Sequence, residues 1–134
     1  MPMTVQLVTP SGILFETEDA AFVAASGEGG DLGVEVNHSN LLTTLRIGPL
    51  RIRAADAERL FAVHGGFLEA TPRSVRIVAD SAEPADAIDV ERAKAARRRA
   101  EERLKRKAAD TDFARAEAAL KRALLRLELA SKAR

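Results

Sequence analysis

Cysteine is absent from the 134 residues, which excludes disulfides, zinc–thiolate centres and thiol catalysis together. No apolar run approaches the roughly 20 residues that a membrane-spanning helix needs. The start, Met1-Pro2-Met3-Thr4-Val5, has neither a basic nor an apolar leader segment. No secretory or transit peptide is therefore expected, and a bacterial cytosolic location is the simplest expectation. The glycine-rich stretch Gly27-Glu28-Gly29-Gly30-Asp31-Leu32-Gly33 lacks the Gly-Lys-Ser/Thr ending of a phosphate loop and precedes no helical pattern. A hairpin or interface loop fits it better than a nucleotide cradle. His38 and His64 are the only histidines, and neither has a ligand partner at metal-binding spacing. Structural or interface roles fit both, and no metal site is expected. Ser and Asp are too common for any Ser/His/Asp ordering to mark a catalytic triad.

What is present suits a soluble chain with a core, since 46% of residues are hydrophobic and 31% charged. The net charge of +1 conceals two opposed halves. Residues 1–84 hold 6 Lys+Arg against 11 Asp+Glu, a net −5. Residues 85–134 hold 15 against 9, a net +6. Two differently charged modules in one chain are expected, with a boundary at Pro84.

The first module reads as short strands broken by turns. Val5–Val8 precedes the turn Thr9-Pro10-Ser11-Gly12, and Ile13–Phe15 and Ala20–Ala24 follow. Leu45-Arg46-Ile47 leads into Gly48-Pro49, and Leu50-Arg51-Ile52-Arg53 alternates apolar with basic residues, as a strand with one wet face does. Arg59–Val63 runs through Gly65-Gly66 to Phe67–Glu69, and Val75–Ala79 closes the series. This spacing predicts a β-sandwich or barrel.

From Asp89 onward there is no glycine or proline, and Ala, Leu, Arg, Lys and Glu dominate. These strong helix formers predict a helix capped by Asp89 and running to about Lys107. Asp110-Thr111-Asp112 is the single break, with Thr111 or Asp112 as the second cap. A connection this short predicts an antiparallel pair. Phe113, Ala116, Leu120, Ala123, Leu127 and Ala130 mark one seam, and Ala93, Ala96, Ala100 and Leu104 the other. Alanine buries little area, so the pair is expected to be marginally stable and suited to switching. The fold class is thus α+β: an N-terminal antiparallel β-sandwich over residues 1–84, then a two-helix antiparallel hairpin over 85–134.

The arginines of the second module are its informative feature. Arg92 and Arg99 are seven apart and share a helix face, which Arg103 extends. Arg115, Arg122 and Arg126 form a stripe on the second helix. A solvated basic face is the ordinary reading of such spacing. The sharper one is an anion site, because guanidinium forks match phosphates. Nucleic acid is a usual partner for basic stripes, but Phe113 is the one aromatic of this half and offers bases nothing more to stack on. A basic adaptor for an acidic protein or nucleic acid stays open at this point. So does a small phosphate-handling enzyme, against which stands the lack of a credible base or metal cluster.

Several segments together resemble one family. Val8-Thr9-Pro10-Ser11-Gly12, Gly30-Asp31-Leu32-Gly33-Val34 with His38, Gly65-Gly66-Phe67-Leu68-Glu69, Val75–Asp80 with Glu83, and Ile88-Asp89-Val90-Glu91-Arg92-Ala93 occur in the order and spacing found in epsilon subunits of bacterial F-type rotary ATP synthases. The resemblance covers essentially the whole chain. It implies a ten-stranded sandwich and a mobile two-helix domain. It implies a non-catalytic central-stalk subunit, peripheral on the cytoplasmic side of the bacterial cell membrane. The partners implied are the gamma subunit, the c-ring and the alpha/beta catalytic subunits. In such proteins the hairpin folds back or extends to restrain ATP hydrolysis, and ATP, with or without magnesium, is a regulatory ligand.

The family's ATP site maps onto Glu83, Ile88, Asp89, Arg92 and Ala93 for the motif region. Arg99, Arg115, Arg122 and Arg126 correspond to its converging arginines. Glu83 and Asp89 are expected to accept from the adenine or ribose, or to orient Arg92. One departure is in the glycine loop, where the family usually continues Ile-Leu-Pro-Gly-His-x-Pro-Leu. Here Val34-Glu35-Val36-Asn37-His38-Ser39-Asn40-Leu41 stands instead, and Asn37 is expected to take the left-handed conformation that Gly would supply.

Overall fold

Met3, Val5 and Leu7 are fully buried while Thr4 and Gln6 between them are not, and this alternation makes the first strand one face of a core. A computed structural model describes residues 2–55, 57–106 and 112–133. The strands are β1 (Met3–Thr9), β2 (Gly12–Gly27), β3 (Gly30–Glu35), β4 (Leu41–Ala54), β5 (Ala57–Thr71), β6 (Ser74–Ala79) and β7 (Ala82–Pro84). A 3-10 turn, Ala85–Ala87, precedes α1 (Val90–Arg106) and α2 (Phe113–Lys132). The chain divides into two units, Met1–Pro84 and Ala85–Arg134.

In the first unit β1, β2, β4, β5 and β6 close on themselves. β2 lies antiparallel to β1 and β4, and β5 antiparallel to β4 and β6. β6 returns to β1 in parallel, the one parallel pairing among the described strands of an otherwise antiparallel sandwich. β3 extends the sheet beside β2, and β7 pairs with β5. Closure removes most of the exposed edge that an open sheet would carry.

The sandwich is built from fewer, longer strands than the turn signals predict. Gly48-Pro49 and Gly65-Gly66 do not end strands; they bend β4 and β5. The buried residues show why. On β5 those in the apolar cluster are Phe61 and Val63 before the bend, then Leu68 and Ala70 after it, so the inward parity switches from odd to even. On β4 it switches from Leu45 to Leu50 and Ile52. Gly65 and Gly66 have φ of 85° and 134°, and a Cβ on Gly66 would lie 2.2 Å from the Val78 carbonyl oxygen. Only glycine allows that approach. β2, β4 and β5 each bend through register irregularities or glycines, and seven described strands stand where the resemblance implies ten.

The glycine-rich stretch is a hairpin, with Gly27 opposite Gly30 and β3 as its second strand. Beyond β3, Asn37 holds φ at 68° and donates its N–H to the Pro72 carbonyl at 2.7 Å. Asparagine thus takes the glycine-like conformation expected of it.

In the second unit Asp89 Oδ1 accepts the Arg92 N–H at 3.1 Å and caps α1. Asp112, with extended backbone, accepts the Arg115 N–H at 3.0 Å and caps α2. Thr111, the other candidate for that cap, and Lys107, the expected end of α1, lie outside the described residues. α1 and α2 pack together. Ala93 and Ala100 on α1, and Ala116, Ala123 and Ala130 on α2, are buried as expected. Ala96, Leu104, Leu120 and Leu127 are half-buried, and Phe113 is 43% exposed. Phe113 sits in the first turn, where α2 has just begun. Leu125 and Leu129 are the buried leucines in its place.

Candidate functional site

The start of α1 is fixed by two hydrogen bonds that Asp89 accepts, one on its carbonyl and one on its carboxylate. Ala93 N–H donates to the Asp89 carbonyl at 3.0 Å, and Arg92 N–H donates to the Asp89 carboxylate. Ile88 and Ala93 are buried on either side of this cap, while Asp89 and Arg92 are exposed. A buried neighbour on each side leaves the Arg92 guanidinium a defined origin. Arg99 is also exposed, about 10 Å further along the axis.

On α2, Arg122 and Arg126 are half-buried and one turn apart, about 6 Å along the axis. Arg115 is exposed in the first turn. The antiparallel packing puts Arg92 and Arg126 toward the open end of the pair and Arg99 and Arg122 near its middle. Arg115 stands about 16 Å along α2 from Arg126, at the connection. The helical pair therefore gathers four of the five expected arginines along one half of its length, with Arg115 apart.

Charge pairing sorts these arginines further. The exposed ion pairs of this unit use Lys94 with Glu91, Arg97 with Glu101 and Lys132 with Glu128. Arg92, Arg99, Arg115 and Arg122 form no ion pair among the described residues. Like charges on neighbouring helices repel, and a polyanion is the ligand that would offset this.

Glu83 belongs to the first unit. β7 brings it beside β5, with Ala62 opposite Glu83 and Val63 opposite Ala82. Its Oε1 lies 3.5 Å from Nε2 of His64. The His64 side chain is only 2% exposed and that of Glu83 is 30% exposed. Sequence reasoning assigned His64 no part in the site. The signal available was a histidine at the end of the apolar run Phe61-Ala62-Val63, where a buried imidazole needs a polar partner. His38, by contrast, is half-buried, and its Nδ1 donates to the Ser39 carbonyl at 2.6 Å.

Among the described residues no three His, Asp or Glu side chains gather as a metal site would require. No described helix is long and apolar enough to cross a membrane.

Comparison with known proteins places these two units. Residues 2–85 match the family model for the ATP synthase delta/epsilon chain beta-sandwich domain, and residues 86–131 the model for its long alpha-helix domain. The chain is 45% identical over 126 residues to the ATP synthase epsilon chain of Bacillus velezensis, covering 94% of this chain and 95% of that one. It is 46% identical over 129 residues to that of Moorella thermoacetica, covering 96% of each. In fold it is similar to a chain in the Euglena gracilis mitochondrial ATP synthase structure, with a TM-score of 0.84 at 21% identity, covering 97% of this chain and 81% of that one.

Proposed function

The chain belongs to the ATP synthase epsilon-chain family, and on that premise we propose that it is a non-catalytic central-stalk subunit whose helical pair binds ATP as a regulatory ligand. The sandwich would bind the gamma subunit and rest on the c-ring, and the helical pair would meet the alpha/beta catalytic subunits. A peripheral position on the cytoplasmic side of the membrane follows from those partners. In one state the helices pack together; in the other they extend and restrain ATP hydrolysis by obstructing rotation. A ligand that binds only one of two states stabilises that state.

The observation that supports the reading best is that Arg92, Arg99, Arg115 and Arg122 form no ion pair among the described residues of two helices joined through an alanine seam. α1 buries only Ala93 and Ala100 among its described residues. Little apolar area opposes the separation of the helices, so the charge at their surface decides the balance. Arg92, Arg99, Arg122 and Arg126 would hold the triphosphate, and Arg115 would hold its outlying charge or serve the alpha/beta contact. Asp89 sets the first turn of α1 and so the origin of Arg92. Ile88 and Ala93 would supply apolar walls, and Glu83 is the acceptor that the resemblance adds for the adenine or ribose. Magnesium, where it accompanies ATP, would be carried on the phosphates.

The test is calorimetric titration of the full chain with ATP. Saturable binding is expected for the wild type. Arg92→Ala, Arg126→Ala and the double variant Asp89→Ala/Arg92→Ala should each weaken it by about tenfold or more, because charge-assisted bonds are lost. Wild-type affinity in all three variants would remove ATP from the mechanism.

A further inference from the structure

We propose that His64 and Glu83 form a pH-sensitive latch that holds β7 on β5 and so sets how much free chain joins the sandwich to the helical unit. Both residues lie within the first unit, and the latch stands without any nucleotide. The His64 side chain is 2% exposed, with Nε2 3.5 Å from Glu83 Oε1. Burial by itself favours a neutral ring, so the charges that face it decide which form is held. β7 brings Glu83. The link between β6 and β7 brings Asp80, whose carboxylate lies against Gly65: a Cβ there would meet its Oδ2 at 2.9 Å. On β4 the register partner of His64 is Ile47, and the neighbouring Arg46 already pairs with Asp31 on β3. These elements thus set two carboxylates near the ring against one arginine that Asp31 neutralises, and they favour the imidazolium.

β7 is the strand that most needs such help. It has three residues, with Ala82 opposite Val63, Glu83 opposite Ala62 and Pro84 opposite Phe61. Pro84 has no N–H to donate. His64 engages this segment twice. Its backbone N–H donates to the Ser81 carbonyl at 2.8 Å, and its ring meets Glu83 diagonally across β5 and β7. Pro84 leads directly into the 3-10 turn Ala85–Ala87. While β7 is paired, no free chain precedes that turn. Once β7 lets go, residues 80–84 become free chain, roughly 17 Å when extended.

A proton that the latched state binds more tightly than the released state stabilises the latch below the midpoint of the histidine. That stabilisation is lost as pH rises through the midpoint. The ordinary titration of histidine falls between about pH 5 and 8. β7 is therefore held on the acid side of neutrality and loosens on the alkaline side, while the rest of the sandwich keeps its pairing.

The experiment is nuclear magnetic resonance on the full chain. His38 and His64 are the only histidines, so His38→Gln assigns the two rings, which are followed from about pH 5.5 to 8.5. His64 should titrate within that range, and Glu83→Gln should lower its midpoint by about one unit, the shift that one neighbouring charge produces. The His64 amide, bonded to Ser81, reports release of the segment. Its hydrogen exchange, corrected for the intrinsic effect of pH, should quicken several-fold through the wild-type midpoint, while the β1 amides stay protected. In Glu83→Gln that quickening should no longer appear. A His64 ring that does not titrate in the range, a midpoint indifferent to Glu83→Gln, or wild-type exchange that does not quicken as pH rises would each overturn the latch. Equal quickening of the β1 amides would overturn it too, since the whole sandwich would then be loosening.

Discussion

Ala55 holds φ at 51° where β4 turns toward β5, and its N–H donates to the Asp19 carbonyl at 3.2 Å. An L-residue there carries a left-handed penalty of about 1–2 kcal/mol, part of which glycine avoids. Ala55→Gly should therefore raise stability by about 0.5–1 kcal/mol, seen as a higher urea midpoint with an unchanged slope. Gly66 gives the opposite case. Its φ is 134° and its missing Cβ would meet the Val78 carbonyl oxygen at 2.2 Å. Gly66→Ala should cost about 3 kcal/mol, because the neighbour it strikes is backbone and has no rotamer to retreat into. A Gly66→Ala chain with a wild-type urea midpoint would show that β5 does not depend on this bend. Both residues hold positive φ; what separates them is the backbone lying beside each one.

At the scale of elements, the helices depend more on their ends than on their seam. α1 buries two alanines, while Asp89 and Asp112 each satisfy an N–H of a first turn. Asp112→Ala should cost the helical pair about 1 kcal/mol. In hydrogen exchange that is roughly a fivefold loss of protection in the amides of Ala116–Lys121, with β5 unaffected. Equal loosening of β5 would mean that the cap serves the whole chain. The helices were legible because their signals are local: composition, two aspartate caps and alanines at heptad spacing. Phe113 was misplaced on the seam because periodicity says which residues share a face, not where the partner helix stops. The strands were less legible. Gly48-Pro49 and Gly65-Gly66 punctuate the sequence like turns, yet β4 and β5 run through them, since their pairing with each other continues on either side. β3 and β7 escaped notice for the same reason: a glycine-rich or three-residue strand exists only through its neighbour. The arginine set came from spacing and resemblance, whereas the contact of His64 with Glu83 joins residues 19 apart and needed the β5–β7 register to appear.

At the scale of the molecule, the two units differ in charge and in what holds them. Residues 1–84 carry net −5 and close around one apolar cluster that draws on β1 to β6. Residues 85–134 carry net +6 and bury mostly alanine. The helical unit should therefore melt first in a calorimetric scan, and the sandwich later. ATP bound through the arginines of the folded pair stabilises that pair by mass action, by about 2.7 kcal/mol at a concentration one hundred times its Kd. The ligand leaves when the helices separate, so the later sandwich transition should occur at the same temperature with or without ATP. Two transitions that rise together would mean that nucleotide and helices stay with the sandwich until it unfolds, and that the chain behaves as one cooperative body. A first transition indifferent to ATP would mean that nucleotide does not choose between packed and separated helices, and the arginine face would then serve the alpha/beta subunits alone.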